Sequence, residues 1–119
     1  MTMGILLFAH GSRDPQWKRP FESILNETQS QAKGPVALAF LESMQPDFQS
    51  GVNQLVAEGA QSIRVIPIFL ATGSHLRHDL PMLIAQAMGA HTSVPITVAT
   101  AIGETREIQT AIARYAAQH

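Results

Sequence analysis

Four apolar runs, each followed by an apolar stripe at helical spacing, divide this chain into successive units. Met3 to Ala9 is almost continuously apolar, as a strand buried on both faces must be. Behind it, Trp17, Phe21, Ile24, Leu25 and Thr28 recur on one helix face, and Gly34-Pro35 supplies a stop. Residues 36–41 give a second strand with Glu42 at its C-terminal end. Gln45-Pro46-Asp47 opens the next helix, whose Phe48, Val52, Leu55 and Val56 face inward until Gly59. Residues 63–69, rich in β-branched side chains, form a third strand. The pattern then predicts a loop up to Asp79, which caps a third helix with Pro81 in its first turn. That helix turns Leu80, Leu83, Ile84, Ala87 and Met88 inward and ends at Gly89. Residues 95–101 are the fourth strand, and Ile108, Ala111, Ile112 and Tyr115 the inward face of a last helix.

Strands that alternate with helices imply an α/β fold with a parallel sheet, because parallel neighbours need long crossover connections. Right-handed crossovers, reversed in direction after the first unit, give the strand order 2-1-3-4 with helices on both faces. This is a flavodoxin-like half-domain. The 119 residues predict a single domain, 1–119, with no linker, internal repeat or low-complexity tract.

The order brings distant residues together. His10 follows strand 1, Glu42 follows strand 2 and His75 lies in the loop after strand 3, and all three loops open on one edge of the sheet. Ligands bind at that edge in open parallel sheets. Imidazole nitrogens and a carboxylate suit Fe, Co, Ni, Cu or Zn and leave open coordination positions. Taken singly, His10 could equally bond to a neighbouring backbone carbonyl, and Glu42 could be solvated or cap the following helix. His78 is expected to face away or start the helix, and His91 and His119 to lie on the surface.

Composition narrows the field. Net charge is −1 with no run of Lys or Arg, so nucleic acid and anionic membrane are not the expected partners. The apolar N-terminal run is too short for a signal peptide or a membrane span. Cysteine is absent, which suits a reducing cytoplasm and excludes disulfides, thiolate metal sites and a Cys nucleophile. Charged residues make up 14% of the chain, against roughly 25% in an average soluble domain. A self-association interface would account for part of that deficit.

Three blocks carry a resemblance: Ala9-His10-Gly11-Ser12-Arg13-Asp14-Pro15; Ala39-Phe40-Leu41-Glu42 with Pro46; and Pro67 to Pro81, which contains Gly73-Ser74-His75 and Asp79-Leu80-Pro81. Together they resemble the signature blocks of the short, single-domain sirohydrochlorin chelatases. Leu80 stands where that family commonly has Ile, a trivial departure. The resemblance implies a class II chelatase fold and insertion of Co²⁺, Fe²⁺ or Ni²⁺ into sirohydrochlorin, in cobalamin or sirohaem synthesis. It implies that His10, Glu42 and His75 hold the metal and take the pyrrole protons, with the division of labour between the histidines open. The substrate's carboxylates call for nearby cations and donors: Arg13 and Arg77, with Ser12, Gly73 and Ser74 in the same loops. Either arginine could instead be a solvated loop residue.

No nucleotide cofactor is expected, since neither GxGxxG nor a P-loop is present. Longer chelatases hold the substrate between two such domains, so the resemblance implies a homodimer here. Two other readings compete. Histidine phosphotransfer sites resemble Arg-His-Gly, but Ala9 fills the arginine's place. A non-catalytic metal-binding module would bind cobalt or zinc without turning over any tetrapyrrole.

Overall fold

The computed structural model describes residues 2–119, with the side chain of His75 outside the described residues. Four parallel strands, β1 (Met3–Ala9), β2 (Val36–Phe40), β3 (Ser62–Pro67) and β4 (Ile96–Val98), lie in the order β2-β1-β3-β4. The predicted order is therefore observed. Four helices connect and follow them: α1 (Arg19–Gln31), α2 (Phe48–Ala57), α3 (Ser74–Ala90) and α4 (Arg106–Gln118). Short 3₁₀ turns at Pro15–Lys18 and Ile102–Glu104 precede α1 and α4.

Alternate residues of the strands feed two cores. Leu6 and Phe8 of β1, Ala37 and Ala39 of β2, and Ile63 and Val65 of β3 pack on Phe48, Val52 and Leu55 of α2 and on Leu76, Leu80 and Ala87 of α3. The opposite face carries Leu7, Ala9, Val36, Leu38 and Phe40 beneath Trp17, Phe21 and Leu25. This is why β1 reads as a continuous apolar run. Each fully buried Phe or Leu contributes about 1.5–3 kcal/mol, and Leu6, Phe8, Phe48 and Leu55 are all at most 2% exposed.

The third and fourth units depart from the sequence reading. α3 begins at Ser74, so Asp79 lies inside the helix and does not cap it, and Pro81 is interior. Leu76 explains the early start. It extends the stripe Leu80, Leu83/Ile84, Ala87 back by one turn and is only 5% exposed. Burial of that extra turn outweighs the single backbone hydrogen bond that Pro81 cannot donate. Met88, one residue beyond the stripe, is 39% exposed and does not join the core.

β4 is shorter than predicted, and α4 differs more. Its side of the sheet is left partly open, with Arg64 and Thr97 exposed, and its apolar stripe does not turn inward: Ile112 is 48% and Tyr115 68% exposed. α4 packs mainly on the 3₁₀ turn at its own base, and the molecule extends 47 × 31 × 28 Å. Among the described residues no helix is long and apolar enough to cross a membrane.

Candidate functional site

Main-chain bonding between β1 and β2 continues past the strand ends. Leu41 N–H donates to Ala9 O at 2.9 Å and Glu42 N–H donates to His10 O at 3.1 Å. These two bonds carry His10 and Glu42 out of the sheet side by side. Gly11 makes the turn possible. Its φ is +97°, and a Cβ there would lie 1.9 Å from Glu42 O, so both conformation and space require glycine.

The side chains meet as a result, with His10 Nε2 2.9 Å from Glu42 Oε1 and each about half exposed (52%). Both can hydrogen-bond to each other and still reach a ligand from solvent. Phe69, just beyond β3, presents its ring edge-on to His10, with centroids 6.4 Å apart. The same ring also meets the buried Phe8 ring edge-on, with centroids 6.1 Å apart. An apolar wall therefore stands beside an imidazole–carboxylate pair at the C-terminal edge of the sheet.

The neighbouring loop residues are partly committed to the loops themselves. Ser12 Oγ accepts from Asp14 N–H at 3.1 Å, and Asp14 Oδ1 accepts from Gln16 N–H at 3.0 Å to cap the first 3₁₀ turn. Arg13 is exposed in this loop. On the other side, Gly73 is the extended residue before α3, Ser74 the first of the helix and His75 the second. His75 is therefore at a helix start and not in a loop, although its backbone emerges at the expected edge; its side chain lies outside the described residues. Arg77 donates from Nη2 to Thr72 O at 3.0 Å, bracing the turn before α3.

The remaining histidines lie elsewhere. His78 is exposed on α3. His91 is not a free surface group, since its Nε2 is 2.7 Å from Asn53 Oδ1 and ties the end of α3 to α2. His119 stacks on Tyr115 at 4.5 Å. Glu42 does not cap the next helix. Asp47 does, accepting from Ser50 N–H at 2.9 Å. That backbone hydrogen bond, with the Ser50 hydroxyl assisting, holds the Asp47 carboxyl below the ordinary value of 3.8. Among the described residues no three His, Asp or Glu side chains form a ligand cluster, so the described part of the site is the His10–Glu42 pair.

Sequence reasoning missed two residues. The apolar pattern puts Phe69 in the third strand and gives no sign of its place at the site, whereas β3 ends at Pro67. Glu104 accepts from Thr72 N–H at 3.1 Å across 32 residues of chain, a link that no local pattern announces.

The CbiX family model matches residues 4–119. The chain belongs to the CbiX family. This CbiX chain is 37% identical over 82 residues to the sirohydrochlorin cobaltochelatase of Methanothermobacter thermautotrophicus, a match covering 69% of this chain and 57% of that protein. It is 38% identical over 82 residues to the enzyme of the same name from Saccharolobus solfataricus, covering 69% of this chain and 63% of that one. The chain thus spans less than two thirds of the length of these curated relatives.

A CbiX protein from Marinobacter aquaeolei VT8 superposes with a TM-score of 0.89 at 32% identity, covering 99% of this chain and 94% of the other. The sirohydrochlorin chelatase SirB from Bacillus subtilis subspecies spizizenii, solved in complex with cobalt, gives a TM-score of 0.85 at 30% identity. That match covers 96% of this chain and 49% of SirB.

Proposed function

We propose that this CbiX chain inserts a divalent metal ion into sirohydrochlorin without a nucleotide cofactor. Co²⁺ is the first candidate, with Fe²⁺ and Ni²⁺ as further substrates. The observation that carries the reading is the half-exposed His10–Glu42 pair, 2.9 Å apart at the sheet edge where α3 also brings the backbone of His75. Relatives named sirohydrochlorin cobaltochelatase and a SirB structure holding cobalt support it.

The reaction exchanges metal–water bonds for metal–nitrogen bonds and releases two pyrrole N–H protons. A histidine nitrogen with a free lone pair can hold the metal or accept a proton, but not both at once. His10, Glu42 and His75 together give enough donors to hold the ion and still leave positions open to the pyrrole nitrogens. While His10 is paired with Glu42 through Nε2, Nδ1 is the nitrogen left for metal or proton. The carboxylate then supplies a counter-charge to either cation. Arg13 and Arg77, with Ser12, Gly73 and Ser74, bind the substrate's carboxylates. Arg77 uses one of its five donors on Thr72 O and keeps the rest for the substrate.

The working form is a homodimer in the cytoplasm. The chain corresponds to 49% of SirB, and a second copy would supply the other wall of a cleft wide enough for a tetrapyrrole. The α4 stripe, with Ile112 and Tyr115 exposed and Ile108 half-buried, supplies the contact. Light scattering across the assay concentration range tests this part, and a fully active monomer would refute it. The activity is tested by mixing the protein with sirohydrochlorin and each of Co²⁺, Fe²⁺ and Ni²⁺ and following the visible spectrum. The reading requires metallation well above the protein-free rate. Cobalt binding without that acceleration would support the non-catalytic reading instead.

A further inference from the structure

We propose that Glu104 is a positioning residue for this site, holding the turn that launches His75 through the backbone of Thr72. The inference rests on the proposed function for its metallation and Co²⁺-affinity arms, whereas exchange of the Thr72 amide reads the bond itself. The turn between β3 and α3 is exposed, Leu70 by 69%, so little burial fixes it. Polar bonds do so instead. Thr72 N–H donates to Glu104 Oε1 at 3.1 Å, and Thr72 O accepts from Arg77 Nη2 at 3.0 Å. A carboxylate and a guanidinium thus hold the two main-chain polar groups of one residue, each on the group of opposite polarity.

The main chain adds a second attachment. Gly103 N–H donates to Phe69 O at 2.9 Å. Gly103 also lies so close to Leu70 that a Cβ would sit 2.1 Å from Leu70 O. The segment Ile102–Glu104 is therefore laid along the turn from Phe69 to Thr72. One end of that turn carries the ring beside His10, and the other lies three residues before His75. Loss of the Glu104 bond frees Thr72 N–H and loosens the approach to α3, while Gly103 keeps the Phe69 end in place.

Glu104→Ala and Glu104→Gln separate this role from a direct effect of charge on metal or substrate, because Gln keeps an oxygen to accept from Thr72 N–H. Three quantities are measured: Co²⁺ affinity by calorimetry, metallation kinetics, and exchange of the Thr72 amide with solvent by NMR. The Ala variant should exchange Thr72 faster and lose roughly three- to tenfold in Co²⁺ affinity and in kcat/KM, the range of one ordinary hydrogen bond, because solvent exposure discounts the carboxylate's charge. The Gln variant should stay within about twofold on all three. Unchanged Thr72 exchange and Co²⁺ affinity in the Ala variant would overturn the proposal. So would a Gln variant as impaired as Ala, since charge would then be acting directly. If wild-type protein fails to metallate while Thr72 exchange and Co²⁺ affinity respond as stated, the chelatase reading falls and the positioning role stands.

Discussion

On the β2–β1 side of the sheet, main-chain bonds alone place the functional side chains. Glu42 N–H to His10 O continues the strand pairing, and Gly11 removes the one side chain that would obstruct it. On the β3–β4 side the edge strand β4 is only three residues long, and the turn leading to His75 is held by two charged side chains and one close glycine contact. The first half is a rigid shelf, since backbone pairing beside a buried core is costly to open locally. The second half is adjustable, because exposed side-chain hydrogen bonds are worth only about 0.5–1.5 kcal/mol each. The proposed reaction, which binds a solvated ion and then releases it into a ring, would be well served by one fixed wall and one that can yield.

The largest expected effect would test whether the two halves share one site at all. His10→Ala and His75→Ala should each lower metallation by about 10²–10⁴-fold, the usual contribution of a positioned acid–base group. Both should leave far-UV circular dichroism unchanged. His91→Ala, which breaks only the link to Asn53, should cost little activity. Equal damage from His91→Ala would move the site.

Gly11→Ala probes the rigid shelf. The positive φ and the clash with Glu42 O should together destabilise the fold by roughly 2–4 kcal/mol, read as a lower urea midpoint, with activity falling as His10 and Glu42 separate. An unaffected midpoint would mean the shelf yields as readily as the turn.

Glu42→Gln keeps the shape and removes the charge. Metallation should fall roughly 10- to 100-fold, as for other disturbed metal-site hydrogen-bond partners, with stability within about 0.5 kcal/mol of wild type. An unchanged rate would make Glu42 a purely structural neighbour of His10.

The smallest effect concerns the cap that follows the shelf. Asp47→Ala should cost about 1 kcal/mol in urea unfolding. Because folding lowers this carboxyl's pKa, its contribution is present above its unfolded value of 3.8 and is lost as pH falls through the lower folded value. The gap between wild type and Asp47→Ala should therefore close in that acid range. A gap constant with pH would assign the cap another origin.

Most of the shelf was legible in the sequence, because two short-range patterns govern it. Apolar runs locate the strands, and strand order then places His10 beside Glu42. The adjustable half was harder. Asp79 and Pro81 are strong local signals for a helix start, yet burial of Leu76 begins α3 six residues earlier. The stripe Ile108, Ile112, Tyr115 is helical as its spacing predicts, but Ile112 and Tyr115 stay exposed instead of turning inward. The resemblance gives Ser12 and Arg77 to the substrate, while in the structure part of their bonding capacity serves the neighbouring loops. The Glu104–Thr72 bond joins two exposed loops across 32 residues, beyond the reach of any periodicity.

The central claim is that ligands from both halves meet on one metal ion. X-ray absorption at the cobalt edge, on protein loaded with one equivalent of Co²⁺, tests it most directly. The wild-type spectrum should show two imidazoles and a carboxylate oxygen on the metal, with one imidazole lost in His10→Ala and, separately, one lost in His75→Ala. A cobalt spectrum left unchanged by His75→Ala would contradict it.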